Sequence, residues 1–424
     1  MTFFARKSRG EILEWAGWAL LFLYVVAGMI YSATLVAGTR FPDEVEYLAI
    51  SHNVLQGIGY SLDGETLTAG RAPGYPYFLS AIQFLGGGFF SFRALQFLLL
   101  GLTFLAATRL ATDRKMSSGL LVVTGLAAGY PVIFYLAGTL YSQTLSEFLF
   151  VLAMGLTLAG PRRLALDLAA GLAFGALILT VPSFLLIMIV TLACAWFLNL
   201  LRPRNIAGIF LAAALVMSVW ITRNVVYLHH FIPVASNSGM NFLTANNPHA
   251  IVYKGVDTEA MGVYWLTVKG YGWDEFQANA YYWNIALAYL REHPGHAFVQ
   301  YLERTLNYFN FMNGYAPFNG EELSVWKQAV VAVSYLALLA LLGWRLADRK
   351  RYPVSSREKL LLTVYVLSAF TSAIFLTRIR LRVPFDFLII AVVALYLSRR
   401  IEDWLAPDKA KNSSSKSTPS VPSP

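Results

Sequence analysis

The chain has 424 residues, of which 57% are hydrophobic and only 13% charged, and its formal net charge is +9. A soluble protein of this size carries about 25% charged residues, so this much apolar surface excludes a single soluble core and belongs against lipid. The one cysteine, Cys194, excludes a disulfide within the chain and argues against a Cys-based metal site.

The opening MTFFARKSRGEILEW runs into a long apolar stretch without a small-residue cleavage site, and reads as a retained first helix. A span needs roughly 20 apolar residues. Ten segments qualify: 15–37, 91–110, 118–136, 146–160, 165–181, 183–200, 205–222, 325–346, 359–376 and 384–400. With the N-terminus inside, every short inside connection is basic. These carry Arg6, Lys7 and Arg9; Arg114 and Lys115; Arg162 and Arg163; Arg202 and Arg204; Arg345, Arg349, Lys350, Arg351, Arg357 and Lys359; and Arg399 and Arg400. That is the positive-inside pattern. The net charge therefore reads as topology and calls for no nucleic-acid partner. Segment 72–90 is apolar enough to be taken for a span, but counting it would invert every later loop. It is expected to be an interfacial helix on the outer leaflet.

The predicted organisation is an all-α polytopic membrane protein with four parts. A first module, 1–222, carries an outside loop at 38–90. An extracytoplasmic region follows at 223–324, then the last helices at 325–400. The Ser/Pro-rich tail, 401–424, is expected to be disordered and cytoplasmic.

The polar residues gather outside. Pro42, Asp43 and Glu44 make a helix start, and Asp43 and Tyr47, four apart, share one face. Asp43 reads either as a helix cap or as a reactive carboxylate beside the bilayer. Arg71, before APGYP, reads as a headgroup anchor or as a ligand to the reacting group. Glu147, near the outer end of the fourth span, is a cap or faces a cavity. Arg223 and Asn224 close the seventh span. His229, His230 and His249 lack a metal-ligand spacing. In TRIRLRVPFDF, Arg378, Arg380 and Arg382 stand in a very short outside loop, against the charge rule. Guanidinium pairs with phosphate oxygens, so the loop fits a specific phosphate ligand or bulk anionic phospholipid.

Together these residues resemble the GT-C glycosyltransferases, in particular a family 39-like branch related to protein O-mannosyltransferases and the lipid A aminoarabinose transferase. The shared pattern is Asp43-Glu44 and Tyr47, then Gly57-Ile58-Gly59, Arg71 before APGYPYF, Glu147 in SEFLF, GLAFGALILTVPS, WITRN with Arg223 and Asn224, and RIRLRVPFDF. It runs from about 40 to 400. Val181 stands where the family commonly has Arg. Gly70 replaces an acid of some relatives, which puts an inferred metal site in doubt.

The resemblance implies a GT-C bundle of about ten transmembrane helices with periplasmic juxtamembrane helices, in a cell inner membrane, with both termini cytoplasmic and the site periplasmic. It implies a polyprenyl-phosphate sugar donor and a glycan, lipid or protein acceptor. Asp43, Glu44 and Glu147 are the implied catalytic residues. Arg71, Arg223, Arg378, Arg380 and Arg382 would bind the phosphate, and Tyr47, Tyr75 and Asn224 the substrate. No cofactor is required by the pattern, although a divalent cation fits some relatives. Membrane lipids are the surrounding partner. A lipid-linked-sugar flippase or transporter and a membrane-anchored glycoside hydrolase are the rival classes.

Overall fold

The computed structural model describes residues 8–161, 163–253, 258–312 and 324–405. Arg6, Lys7 and Arg162, and the tail from 406 onward, lie outside them. The described residues form helices and no named strand; a single bridge joins Ser61 and Leu67.

Helix α1 (Arg9–Thr34) starts at a capping box in which Ser8 and Glu11 satisfy each other's backbone amides. Two short helices follow, α2 (Pro42–Leu55) and α3 (Gly74–Phe84). The bundle continues with α4 (Phe89–Ala107), α5 (Gly119–Ala128), α6 (Pro131–Ala137), α7 (Gln143–Leu158), α8 (Leu164–Thr180), α9 (Phe184–Phe197) and α10 (Pro203–Leu228). Then come α11 (Ser238–Ala245), α12 (Thr258–Tyr271), α13 (Glu275–Glu292) and α14 (Pro294–Tyr308), which fold outside the bundle. The chain ends in α15 (Val325–Ala347), α16 (Ser356–Ser372) and α17 (Ile379–Leu405).

Each of the ten predicted spans carries a helix. The third is broken at Gly129–Tyr130, where α5 and α6 meet at 79°. Five helices are long and apolar enough to cross a membrane, or six if the bent pair is one span. The chain is a multi-pass membrane protein. Helices α7, α8 and α9 are apolar but have only 16, 17 and 14 residues. At about 1.5 Å per residue these rise roughly 21 to 26 Å, less than a hydrocarbon core of about 30 Å. Segment 72–90 yields only the 11 residues of α3, also too short to span.

Helix α17 is the axis of the bundle: 89% of its apolar window is buried. It packs against α4, α5, α7, α15 and α16. Helices α8 and α10 pack closely. A Cβ at Gly171 would lie 2.3 Å from the Ile209 carbonyl, and one at Gly175 2.7 Å from Val216 Cβ. Small residues four apart allow that approach.

The two ends of α17 define two chemically different ends of the protein. Its last turns lie beside the basic connections: Arg114 pairs with Glu402 at 3.2 Å, Arg400 with Asp348 at 3.1 Å, and Lys115 with Glu14 at 2.5 Å. Arg345 and Glu358, both fully buried, pair at 2.8 Å. Its first turn, 27 residues of helix away or about 40 Å, carries Arg380.

Candidate active site

Proline at the first position of α2 and acids in its first turn fix where that helix begins. Helical spacing then puts Asp43, Glu46 and Tyr47 on one face. Arg71 reaches this face from the loop before α3. Its Nη2 donates to Asp43 Oδ1 at 2.9 Å and its Nε to Glu46 Oε2 at 2.5 Å, while the guanidinium lies 5.7 Å from the Tyr47 ring centre. Arg380, in the first turn of α17, donates from Nη2 to Asp43 Oδ2 at 3.3 Å and lies 4.3 Å over the ring of Tyr141. Asp43 is thus held by a different arginine on each oxygen. The Asp43, Arg71 and Arg380 side chains stay 25%, 23% and 27% exposed, so the cluster remains open to a ligand.

The electrostatics keep these groups in one state. Burial works against the charge on Arg71, but the bond to Glu46 and the nearby Tyr47 and Asp43 outweigh it, so its pKa is raised. Burial, offset only in part by Arg380, pushes the Tyr141 phenol up to about 12, and burial also raises Tyr47. The site therefore offers two permanent cations, one carboxylate between them and neutral phenols around them.

Two frames hold the arginines in place. Arg223 Nη1 donates to the Thr68 carbonyl at 2.8 Å, and the Tyr60 hydroxyl donates to the Arg71 carbonyl at 3.0 Å. Gly59 makes the preceding turn at φ +102°, where a Cβ would also strike Leu67 at 2.8 Å. On the other side, Asn307 of α14 donates to the Thr377 carbonyl at 3.0 Å, and Arg304 donates to the Ala373 carbonyl at 2.7 Å. These bonds fix the turn that leads into Arg380.

Among solved structures, the chain superposes on the oligosaccharyltransferase of Archaeoglobus fulgidus tethered with an acceptor peptide containing the NVT sequon. The TM-score is 0.52, with 13% identity over 93% of this chain and 51% of that one. The chain shares the fold of that archaeal protein. It spans about half the length of that archaeal chain. ArnT from Cupriavidus metallidurans bound to undecaprenyl phosphate is similar at a TM-score of 0.42 and 11% identity, over 96% of this chain and 82% of that one. No family model and no curated protein matches the sequence.

Several residues singled out in the sequence take other positions in this bundle. Glu44 is fully buried, and its carboxylate accepts the backbone N–H groups of Arg40 at 2.5 Å, Phe41 at 3.3 Å and Leu140 at 2.8 Å. It ties the start of α2 to the backbone at Leu140 and does not share the face of Asp43. Its place three residues after Phe41 is a capping-box position, a signal already present in the sequence. The stretch carrying Arg380 and Arg382 is helical instead of an extended loop. Residues two apart on a helix face nearly opposite ways, so Arg382 turns into the bundle. It is fully buried there, with Nε 3.2 Å from Asp386 and Nη1 2.8 Å from the Tyr308 carbonyl, and does not line the site. The carbonyl of Arg378 accepts the N–H of Leu381 and so starts α17.

Helix α10 runs on to Leu228, so Arg223 and Asn224 lie in its last turns rather than after it. Arg223 spends its donors on Thr68, Asn224 and Tyr60, and Asn224 is buried, donating to the Ile232 carbonyl at 2.9 Å. Both hold loops. Tyr75 is fully buried, and its hydroxyl donates to Gln96 at 2.9 Å. Glu147, inside α7, is fully buried and caps no helix; among the described residues neither of its oxygens has a hydrogen-bond partner.

Glu46 and Tyr141 joined the site unannounced. Glu46 was legible from its spacing to Asp43; Tyr141 carried no local signal. As for a divalent cation, Asp43 and Glu46 both bind Arg71, Gly70 supplies no third acid, and no three His, Cys, Asp or Glu converge among the described residues. This donor set does not fit a metal.

Proposed function

We propose that this protein transfers a glycosyl residue from a polyprenyl-phosphate-linked sugar to an extracytoplasmic acceptor, with inversion at the anomeric carbon. The observation that carries the reading is Asp43 held between Arg71 and Arg380 at one end of α17, on a fold shared with a transferase whose acceptor is a peptide. Two partly exposed guanidiniums 2.9 and 3.3 Å from one carboxylate form a cradle suited to a phosphate.

The chemistry follows from charge. An arriving phosphate takes over the guanidinium donors that Asp43 occupies, and so releases the carboxylate as a base at the moment the donor is bound. The acceptor hydroxyl loses its proton to Asp43 and attacks the anomeric carbon. The bond from that carbon to the phosphate oxygen breaks, its electron pair goes to oxygen, and polyprenyl phosphate departs as an anion. Arg71 and Arg380 stabilise the charge that builds there, so no strong general acid is needed. Tyr47 and Tyr141 wall the cradle. Arg378, beside the same turn, is the further candidate phosphate ligand.

The site is assigned to the extracytoplasmic face of a cell inner membrane, with the basic end of the bundle in the cytoplasm. Lipid A, a surface polysaccharide or protein are the acceptor classes. The decisive experiment is an assay of purified protein in liposomes with a panel of labelled polyprenyl-phosphate sugars, with and without acceptor. Acceptor-dependent cleavage that is lost in Asp43→Asn supports transfer. Release to water without acceptor would mean a hydrolase, and movement of intact donor across the bilayer a transporter.

A further inference from the structure

We infer that Glu275, at the start of α13, is a positioning residue for Arg71; the inference rests on the transferase reading. Glu275 stands 204 positions from Arg71 in sequence, and its carboxylate holds the segment just before Arg71 at two points and ties it to Ser236 at a third. Oε2 accepts the Thr68 hydroxyl at 2.5 Å and the Ser236 hydroxyl at 3.1 Å, and Oε1 accepts the Ala69 N–H at 2.9 Å.

The grip is relayed toward the arginine. Thr68 Oγ1, while donating to Glu275, accepts the Gly70 N–H at 2.8 Å. The Ala69 carbonyl accepts the Ser236 N–H at 2.9 Å. The chain from 68 to 70 therefore has no freedom to rotate before it delivers Arg71. A Cβ added at Gly70 would lie 3.1 Å from Thr68 Oγ1 and 3.4 Å from Glu275 Oε2, so the strut leaves little room there.

Glu275 itself is well fixed. It is the first residue of α13, directly after Asp274, whose side chain accepts the N–H groups of Phe276 and Gln277 at 2.9 and 2.8 Å. An acid in the first turn is stabilised by the helix dipole, and the neighbouring Phe276 ring stacks on His230 at 3.9 Å. Helix α13 packs in turn on α11, where a Cβ at Gly239 would lie 2.3 Å from the Asn279 carbonyl. Helix α13 thus reaches the Arg71 side of the cradle through the Glu275 carboxylate, as α14 reaches the Arg380 side through Arg304 and Asn307. Removing the Glu275 carboxylate leaves Arg71 chemically intact and loosens where it points. A small misplacement of a charged group at the reacting centre is costly.

The test is a double-mutant cycle on Glu275→Ala and Arg71→Ala, read as donor KM, kcat and affinity for undecaprenyl phosphate, with thermal unfolding of each variant. Glu275→Ala is expected to weaken donor and polyprenyl-phosphate binding about tenfold, the scale of one charge-assisted contact, with a smaller change in kcat. In the Arg71→Ala background the same substitution should change binding less than about twofold, because coupled residues are not additive. Glu275→Gln, which keeps an acceptor for Ala69 N–H, should recover most of the loss, and it carries the comparison if the alanine variant fails to fold.

Losses that multiply across the cycle, or a fall in melting temperature with donor KM unchanged, would overturn the assignment and leave Glu275 as a plain structural tie. Wild-type protein that binds undecaprenyl phosphate but transfers no sugar would sink the transferase reading instead, and the binding cycle would still decide Glu275.

Discussion

Arg380 and Asp43 stand 337 positions apart in the chain, and their side chains meet at 3.3 Å. The contact joins the first turn of the innermost helix to the first turn of α2, and Arg71 completes it from a third segment at 2.9 Å. Three stretches with nothing local in common thus surround one carboxylate.

Asp43→Asn separates binding from chemistry. The amide cannot take a proton, so transfer should fall about 10²- to 10⁴-fold, the usual contribution of a general base. The substitution also removes the negative charge that competes for Arg71 and Arg380. Undecaprenyl phosphate should therefore bind the variant as well as or better than wild type. Equilibrium binding beside initial rates checks both halves, and near-normal turnover would take the base role away from Asp43.

Arg380→Ala and Arg71→Ala should each weaken phosphate binding by about 10- to 100-fold, equivalent to roughly 1.5–3 kcal/mol for a hydrogen bond to a charged group. Lysine should rescue neither fully, since its ammonium lacks the planar fork. Unchanged affinity in both alanine variants would show that the phosphate sits elsewhere.

Glu44→Ala should behave differently from its neighbour. Three backbone N–H groups lose their acceptor in a buried place, so the loss falls on stability, at about 1–3 kcal/mol for each donor left unsatisfied. A lowered unfolding temperature, with kcat per folded molecule retained, is the expected result. Full stability with lost activity would restore the catalytic reading of Glu44.

The pH dependence has a definite sign. A guanidinium keeps its charge far above neutral pH, and the pKa of Arg71 is raised further by Glu46, Tyr47 and Asp43. The Tyr141 phenol, pushed up to about 12, stays neutral over the same range. Affinity for undecaprenyl phosphate should therefore not decline between about pH 7 and 10, whereas a cradle built on lysine, with a pKa near 10.4, would begin to lose charge there. A titration of binding over that interval separates the two cases.

Tyr141→Ala removes the ring on which Arg380 rests at 4.3 Å. A cation–π contact is worth about 0.5–2 kcal/mol, so phosphate affinity should drop about 2- to 30-fold. Tyr141→Phe keeps the face and should lose much less. Equal losses in the two variants would shift the weight from the ring to the hydroxyl.

Hydropathy and charge already located the ten helical segments, because both are sums over neighbouring residues. The short period of a helix likewise put Asp43 and Tyr47 on one face. The same arithmetic was misleading where a loop was expected and a helix formed. In 377–383 the three arginines look equivalent, but the turn of α17 sends Arg380 to the surface and Arg382 to Asp386 in the core. Asp43 and Glu44 are adjacent and chemically alike, yet about 100° of helix gives one to the arginines and the other to backbone amides.

By itself, then, the sequence determined the class of protein, the segments that cross or line the bilayer, and the residue types gathered beyond it, since partition between lipid and water is decided locally. Only the tertiary structure decided which of several acids and arginines share a site. Ion pairing and burial depend on the distance between segments far apart in the chain, and that distance is fixed by how the helices pack.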